Sequence, residues 1–336
     1  MQPPAALTRY RRALDDHLRG LLDRSQPRDL YCMLRYHLGW EDAAGRAAES
    51  TGKRLRPALC LLACEASGGE ASMAVPAASA VELVHNFSLV HDDVQDDDRL
   101  RHGRDTVWAV WGKPQAINAG DALLALAHLS LTEMAGESLF AASRLLNERT
   151  LEMVEGQVMD IAFEGQPAVS LESYLAMISR KTGALFHAAL ALGGIAAGAP
   201  DEKIAALGRC GRQLGLAFQV RDDMLGIWGD VDRTGKPVAA DILRRKKSLP
   251  IVFALERATG DDRQRLRGVY GAGEPSAGDV AFVTGLLDSL GALAYCQEEA
   301  DKHRSAALSE LAAAGLDERA AGEIREVADF LLERDF

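Results

Sequence analysis

Aromatic residues make up only 6% of this 336-residue chain, and valine, isoleucine and threonine are too sparse for a sheet protein. Ala, Leu, Glu and Arg, the strong helix formers, dominate instead, so an all-α fold is expected. Cysteine is scarce too. Cys32, Cys60, Cys64, Cys210 and Cys296 are odd in number and scattered, which argues against a disulfide framework and fits a reducing cytoplasm. Cys60 and Cys64 lie one helical turn apart, but no nearby Cys or His pair completes a zinc site. Positive charge is in deficit, with 38 Lys and Arg against 49 Asp and Glu, a formal net charge of −11. Such a surface repels phosphate backbones, so nucleic acid is not expected as a partner, while a few local cations still suffice for a small phosphorylated molecule. The N-terminal MQPPAALTRYRRALDD lacks the apolar stretch of a signal peptide. Residues 183–200 are marginally long enough to span a bilayer, yet they are Ala/Gly-rich and contain His187, so they read as a buried bundle helix and no transmembrane segment is expected.

Long linkers and internal repeats are also missing. Short Gly/Pro/Asp breaks at 67–69, 112–114, 165–167, 198–201, 229–237 and 271–276 separate amphipathic helical stretches. One all-α domain over residues 1–336 is expected, with a loose segment near 271–276.

Two aspartate clusters stand out. The first reads His91-Asp92-Asp93-Val94-Gln95-Asp96-Asp97-Asp98, at the end of an apolar helix predicted to start near Pro76, a favoured first-turn residue. Val81, His85, Ser88, Asp92 and Asp96 recur at helical spacing on one face. Like charges one turn apart repel, and the helix dipole worsens this at a C-terminal end. A bound cation offsets such a cost, and carboxylates without thiolate or imidazole partners select hard ions such as Mg²⁺. Taken alone, the run reads sooner as a solvated helix end, and the apolar face leading into it (Leu83, Val84, Phe87, Leu89, Val90) argues instead for a largely buried helix. The second cluster, Phe218-Gln219-Val220-Arg221-Asp222-Asp223-Met224-Leu225-Gly226, again sets two aspartates in a mostly apolar helix. The pair of clusters suggests facing metal ligands in a helix bundle, which neither suggests alone.

Cations accompany them in small groups. Gly52-Lys53-Arg54-Leu55-Arg56-Pro57 precedes an apolar helix but lacks the glycine spacing of a P-loop. Arg101 and Arg104 follow the first cluster, Lys181-Thr182 opens an apolar stretch, Lys236 lies in a Gly-rich loop, and Lys246 and Lys247 follow Asp241. Singly each is unremarkable; with the carboxylates they look like an anion site built from metal and Lys/Arg.

At this point the residues resemble the trans-isoprenyl diphosphate synthases, the polyprenyl synthetases. The pattern runs through Gly52 to Pro57, His85 seven residues before Asp92-Asp93-x-x-Asp96, and Arg101-His102-Gly103-Arg104. It continues through Gly156-Gln157-x-x-Asp160, Lys181-Thr182, Phe218-Gln219-x-x-Asp222-Asp223 and Gly235-Lys236…Asp241…Lys246…Leu249-Pro250. The resemblance implies a single-domain antiparallel helix bundle around a deep central cavity, and a Mg²⁺-dependent enzyme joining isopentenyl diphosphate to an allylic diphosphate. Asp92, Asp96 and Asp222 would hold the metal, three magnesium ions per active site, with Asp93 and Asp223 in support. Arg101, Lys181 and Lys236 would neutralise the allylic diphosphate, with Lys246 a further candidate. Lys53, Arg56 and His85 would bind isopentenyl diphosphate, and Thr182 and Gln219 would present dipoles to the developing allylic cation. A cytoplasmic homodimer is implied as well.

Two positions depart from the family pattern. His102 stands where a second Arg is usual, which weakens the isopentenyl diphosphate site, and Gly226 stands where the second motif usually ends in Asp. Phe87, five residues before Asp92 and roughly 7.5 Å back along the helix, offers a floor for the growing chain, with small Ser88 beside it. One aromatic there, with no insertion in the Asp motif, favours geranylgeranyl diphosphate (C20) over farnesyl diphosphate (C15). A terpene cyclase would share the metal site but not need Lys53, Arg56 and His85. A non-catalytic subunit of a prenyl synthase heteromer would be expected to lose first-motif carboxylates, which this chain keeps.

Overall fold

Helix forms nearly all of the regular structure. The computed structural model describes residues 4–23, 26–48, 54–229, 239–271 and 273–332. The one sheet among them is a two-stranded antiparallel hairpin, β1 (Leu100–Arg101) and β2 (Arg104–Asp105). The chain divides into two compact units: Met1–Thr150 with Ala188–Gly208 and Leu311–Val327, and Leu151–His187 with Arg209–Glu310 and Ala328–Phe336.

The first unit carries α1 (Ala5–Arg9), α2 (Arg11–Leu22), α3 (Arg28–His37), α4 (Leu55–Ala66), α5 (Ala71–Gln95), α6 (Val107–Trp111) and α7 (Lys113–Leu131). Helix α5 packs on α4, α2 and α7. Ala77, Ala78 and Ala80 on α5 and Ala116 and Ala119 on α7 are wholly buried, small enough to let backbones approach. Leu83, Val84 and Val90 fill the remaining space, each burial stabilising by about 1.5–3 kcal/mol. Helix α5 starts at Ala71 rather than at Pro76, which lies inside it. The extra turn buries Ala74, and the Pro76 carbonyl accepts a bond from Ser130 Oγ at 2.7 Å; this packing offsets the backbone bond that proline cannot donate. Among the described residues α5, and not residues 183–200, is long and apolar enough to cross a membrane as a single helix, with 67% of its apolar window buried inside the protein; the pair Ala277–Ser289 and Ala292–Ala313, bent by 61°, passes only when taken together.

The second unit holds the C-terminal part of α8 (Gly136–Glu164), whose N-terminal part belongs to the first, then α9 (Leu171–Ile178), a π-helical turn (Ser179–Gly183), the start of α10 (Ala184–Ala196) and most of α11 (Asp201–Trp228). It continues through α12 (Ala240–Leu243), α13 (Leu249–Arg257), α14 (Gly260–Gly271), α15 (Ala277–Ser289) and most of α16 (Ala292–Ala313); α17 (Glu318–Leu332) closes the described chain. Val220, Met224 and Ile227, spaced four and three apart, put one face of α11 into the core with Tyr174, Leu249, Val252 and Ile251. That burial fixes the rotation of α11 and so decides which of Asp222 and Asp223 turns inward.

Candidate active site

In the first unit the aspartate cluster ends α5. Asp92 is half-buried, Asp93 is buried and Asp96, the C-cap, is exposed; its N–H still bonds the Asp92 carbonyl at 2.8 Å. The chain then turns into the hairpin, fixed by Thr106 Oγ1 and Trp108 Nε1, which both donate to the Asp98 carbonyl at 2.9 Å. The hairpin carries Arg101 back onto Asp93, donating from Nε at 2.8 Å and Nη2 at 2.7 Å. Burial raises the Asp93 carboxyl above its ordinary value, against the pull of Arg101. His102 is exposed at the hairpin tip in the left-handed region, φ 51°.

Two turns before Asp92, His85 Nε2 lies 3.2 Å from Arg56 Nη1. Burial lowers His85 well below the usual imidazole range, and Arg56, Arg101, His37 and Arg54 reinforce the effect. Burial also brings Arg56 down to about 10. Beneath this pair lies a feature that charge-run reading missed. Arg54, left-handed at the N-cap of α4, is buried and donates to Glu82 on α5 at 2.6 Å. Asn86 Nδ2 bonds the same Glu82 oxygen at 3.0 Å. The one signal for it was a lone acid in the apolar stretch leading to His85. Lys53 and Lys236 lie outside the described residues. Phe87 is buried, its ring edge-on to His91 at 4.8 Å, and Ser88 is half-buried beside it, donating to the His85 carbonyl.

His37 was not singled out from sequence. Its Nε2 is buried without a hydrogen-bond partner, and burial, then Arg101, lower its pKa to about 3. The unfolded chain holds imidazole near 6.5, so it binds more protons than the fold below that pH. Stability from this group is therefore present above about 6.5 and is lost as pH falls toward 3, with a slope of about 1.4 kcal/mol per pH unit. Replacing His37 with Gln should flatten the acid side of the stability curve by that slope, as read from urea midpoints across the window.

The second unit repeats the logic of the aspartate pair. Asp223 is buried and tied inward: Tyr174 Oη donates to it, as do Leu249 N at 3.1 Å and Gln219 Nε2 at 3.0 Å. Burial brings its carboxyl up to about 6, with Lys246 opposing and Asp241 adding to the rise. Asp222 is half-buried on the adjacent face. Thr182 Oγ1 donates to Gln219 Oε1 at 2.8 Å, so Thr182, Gln219 and Asp223 form one chain of bonds. Lys181 and Thr182 sit in the π-helical turn, a local widening frequent at functional sites. A Cβ at Gly156 would fall 2.3 Å from Lys181 N, so only glycine lets α8 lie against this turn. One turn on, Asp160 Oδ2 takes Lys181 Nζ at 2.6 Å. The Gly156-x-x-x-Asp160 spacing thus builds a seat for Lys181. Desolvation acts to lower the Lys246 ammonium, but Asp241, Asp223, Asp160 and Asp222 outweigh it and raise it.

These carboxylates fit magnesium in kind: they are hard oxygen donors, and Asp92 and Asp222 are half-buried where Asp93 and Asp223 are buried. No three His, Cys, Asp or Glu side chains among the described residues close on a common point, and Mg²⁺ needs no such cage, since it keeps waters and takes phosphate oxygens.

Comparison with known proteins places the chain in a family. Residues 40–287 match the family described as polyprenyl synthetase. A (2E,6E)-farnesyl diphosphate synthase of Mycobacterium tuberculosis is 41% identical over 322 residues, covering 94% of this chain and 89% of the relative. A geranylgeranyl diphosphate synthase of the same organism is 46% identical over 285 residues, covering 84% and 81%. A crystal structure of a polyprenyl synthetase from Streptomyces coelicolor A3(2) superposes with a TM-score of 0.92 at 40% identity, covering 98% of this chain and 99% of that one.

Proposed function

The chain belongs to the polyprenyl synthetase family and is a short-chain trans-prenyltransferase, and from that premise we propose that it makes geranylgeranyl diphosphate (C20) from isopentenyl diphosphate and a shorter allylic diphosphate. The observation that carries the assignment of roles is the shared asymmetry of the two aspartate pairs: Asp93 and Asp223 are buried, held by Arg101 and by Tyr174, while Asp92 and Asp222 are only half-buried. Asp92, Asp96 and Asp222 hold Mg²⁺, which the family generally uses, three ions per site. When bound, the metal neutralises the diphosphate leaving group as the allylic C–O bond breaks. Lys181, seated by Asp160, and Lys246 bind that diphosphate, with Arg101 anchored on Asp93; Lys236 joins them. Thr182 and Gln219 aim dipoles toward the allylic cation. Arg56 and the neutral His85 receive isopentenyl diphosphate together with Lys53, and His102 adds a weaker contact. The alkene attacks C1 of the cation, and loss of a proton restores a double bond.

Phe87 supports the C20 assignment as the one aromatic at positions 87 and 88, with the small Ser88 beside it. The test is incubation of purified protein with labelled isopentenyl diphosphate and C5, C10 or C15 starters, followed by sizing of the products. Accumulation at C20 is expected, and Phe87→Ala should lengthen the product by at least one unit. A C15 endpoint, or hydrocarbon formed without isopentenyl diphosphate, overturns the proposal.

We further propose a homodimer in the cytoplasm, a compartment that fits five free thiols. On α8, Leu151 (62% exposed), Val154 (42%), Val158 (63%) and Ile161 (42%) form a stripe spaced three, four and three apart, the face a partner helix would cover. Val158→Glu should convert a dimer to a monomer in sedimentation velocity without lowering helix content.

A further inference from the structure

The π-helical turn Ser179–Gly183 lies pressed between two helices. Gly156 admits it from α8, and two glycines of α11 admit the turn and the residues after it. A Cβ at Gly211 would fall 2.3 Å from the Phe186 carbonyl oxygen, and one at Gly215 would fall 2.8 Å from Gly183 Cα. Arg212 stands between those two glycines in sequence. Its Nη1 donates to the Ser179 carbonyl at 3.1 Å and to Glu152 Oε1 on α8 at 2.6 Å, while Nη2 donates to Glu152 Oε2 at 2.9 Å. The Ser179 hydroxyl accepts from Nη1 as well, at 3.3 Å. One guanidinium therefore joins α8, α11 and the first residue of the turn. About two turns further along α11, Gln219 accepts from Thr182 Oγ1 at 2.8 Å, so the turn is held to α11 near both ends.

π-helical turns are rare beside α-helical ones, so something outside the backbone has to favour this one. In an α-helix the Ser179 carbonyl would face the N–H of Gly183, four residues on. A side-chain donor at such a carbonyl competes with that bond and disturbs the α ladder. The planar fork of Arg212 meets the Glu152 carboxylate bidentately, which fixes the direction of the second N–H on Nη1. Both side chains are only about one-fifth exposed, 21% for Arg212 and 20% for Glu152, where the pair is weakly screened by salt.

We propose that Arg212, aimed by Glu152, keeps Ser179–Gly183 in its π-helical form and is thereby a positioning residue for Lys181 and Thr182. One residue of helix subtends about 100°, so reversion to an α turn swings Lys181 away from Asp160 and Thr182 away from Gln219. What those two groups do for the substrate rests on the proposed function; what Arg212 does for the turn does not.

Three variants test it: R212M, E152L/R212M and the charge swap E152R/R212E. Amide hydrogen exchange over residues 176–186 reads the turn without substrate, and steady-state kinetics read the site. R212M should speed exchange there at least about tenfold and lower kcat about 100-fold, the scale of a roughly 1 Å misplacement. KM for the allylic diphosphate should rise while KM for isopentenyl diphosphate stays unchanged, because Arg56 and His85 lie in the first unit. E152L/R212M removes both desolvation costs and should keep Tm close to that of the wild type, yet match R212M in exchange and kcat. The swap restores an ion pair and should also hold Tm, but the carboxylate that R212E introduces cannot donate to the Ser179 carbonyl, so kcat stays low. A pair that served stability alone would give back kcat along with Tm. Wild-type exchange and kcat in E152L/R212M overturn the proposal, and so does a swap that recovers both. Should either double variant fail to fold, the other decides. If the wild type makes no prenyl diphosphate, the functional reading falls and the exchange data alone judge Arg212.

Discussion

Asp92→Asn should lower kcat by about three orders of magnitude, the scale seen when a charge-stabilising group is removed from a reacting centre, while Tm holds or rises slightly. The two readouts separate because of where Asp92 sits. It is half-buried in the last turn of α5, where the helix dipole disfavours a negative charge and Asp96 lies one turn away. Removing the charge relieves the fold and disables the cation site. Steady-state kinetics across a Mg²⁺ series, paired with thermal melts, check both. A fall in Tm that tracks the loss of activity would make Asp92 structural and sink its assignment.

The opposite signature is expected at Glu82. Glu82→Ala leaves the Arg54 guanidinium buried with its main partner gone; both residues are 6% exposed and joined at 2.6 Å. Breaking such a pair destabilises by about 3–5 kcal/mol. The remaining acid near Arg54, Asp15 at 3.5 Å from Nε, is too distant for a good hydrogen bond. Arg54→Met combined with Glu82→Leu should recover most of that stability, because it removes both desolvation penalties together. Urea midpoints of the two variants give the answer. Since Arg54 caps the helix that carries Arg56, the single variant should also raise KM for isopentenyl diphosphate more than for the allylic substrate.

Much of this was legible before any fold was known. The helical class followed from composition, the suitability for a hard cation from donor type, and the reaction from the resemblance of the ordered motifs to a family. His85, Asp92 and Asp96 follow α5 as written, because i, i+4 relations are local and survive any packing. The start of α5 did not: Pro76 is a good first-turn residue in isolation, but burial of Ala74 and the bond from Ser130 favour another turn ahead of it. The π-helical turn at Lys181 carried no sequence mark beyond Gly156, whose reason is a neighbour 25 positions away along the chain. Tyr174 and His37 gave no signal at all, one a tyrosine among six, the other a histidine at a helix end.

By itself the sequence determined the helices, the order of the charged motifs and the kind of ion they suit, because propensity, donor type and helical periodicity act within a few residues. Tertiary structure alone decided which aspartate of each pair is buried. Asp93 turns in because a hairpin returns Arg101 to it, and Asp223 because Tyr174, 49 positions away, meets it in the core. It also set the Asp241 carboxylate against Gly226, where a Cβ would fall 2.3 Å from Oδ2. Such contacts join residues far apart in the chain, and only burial of the surrounding apolar faces brings them together.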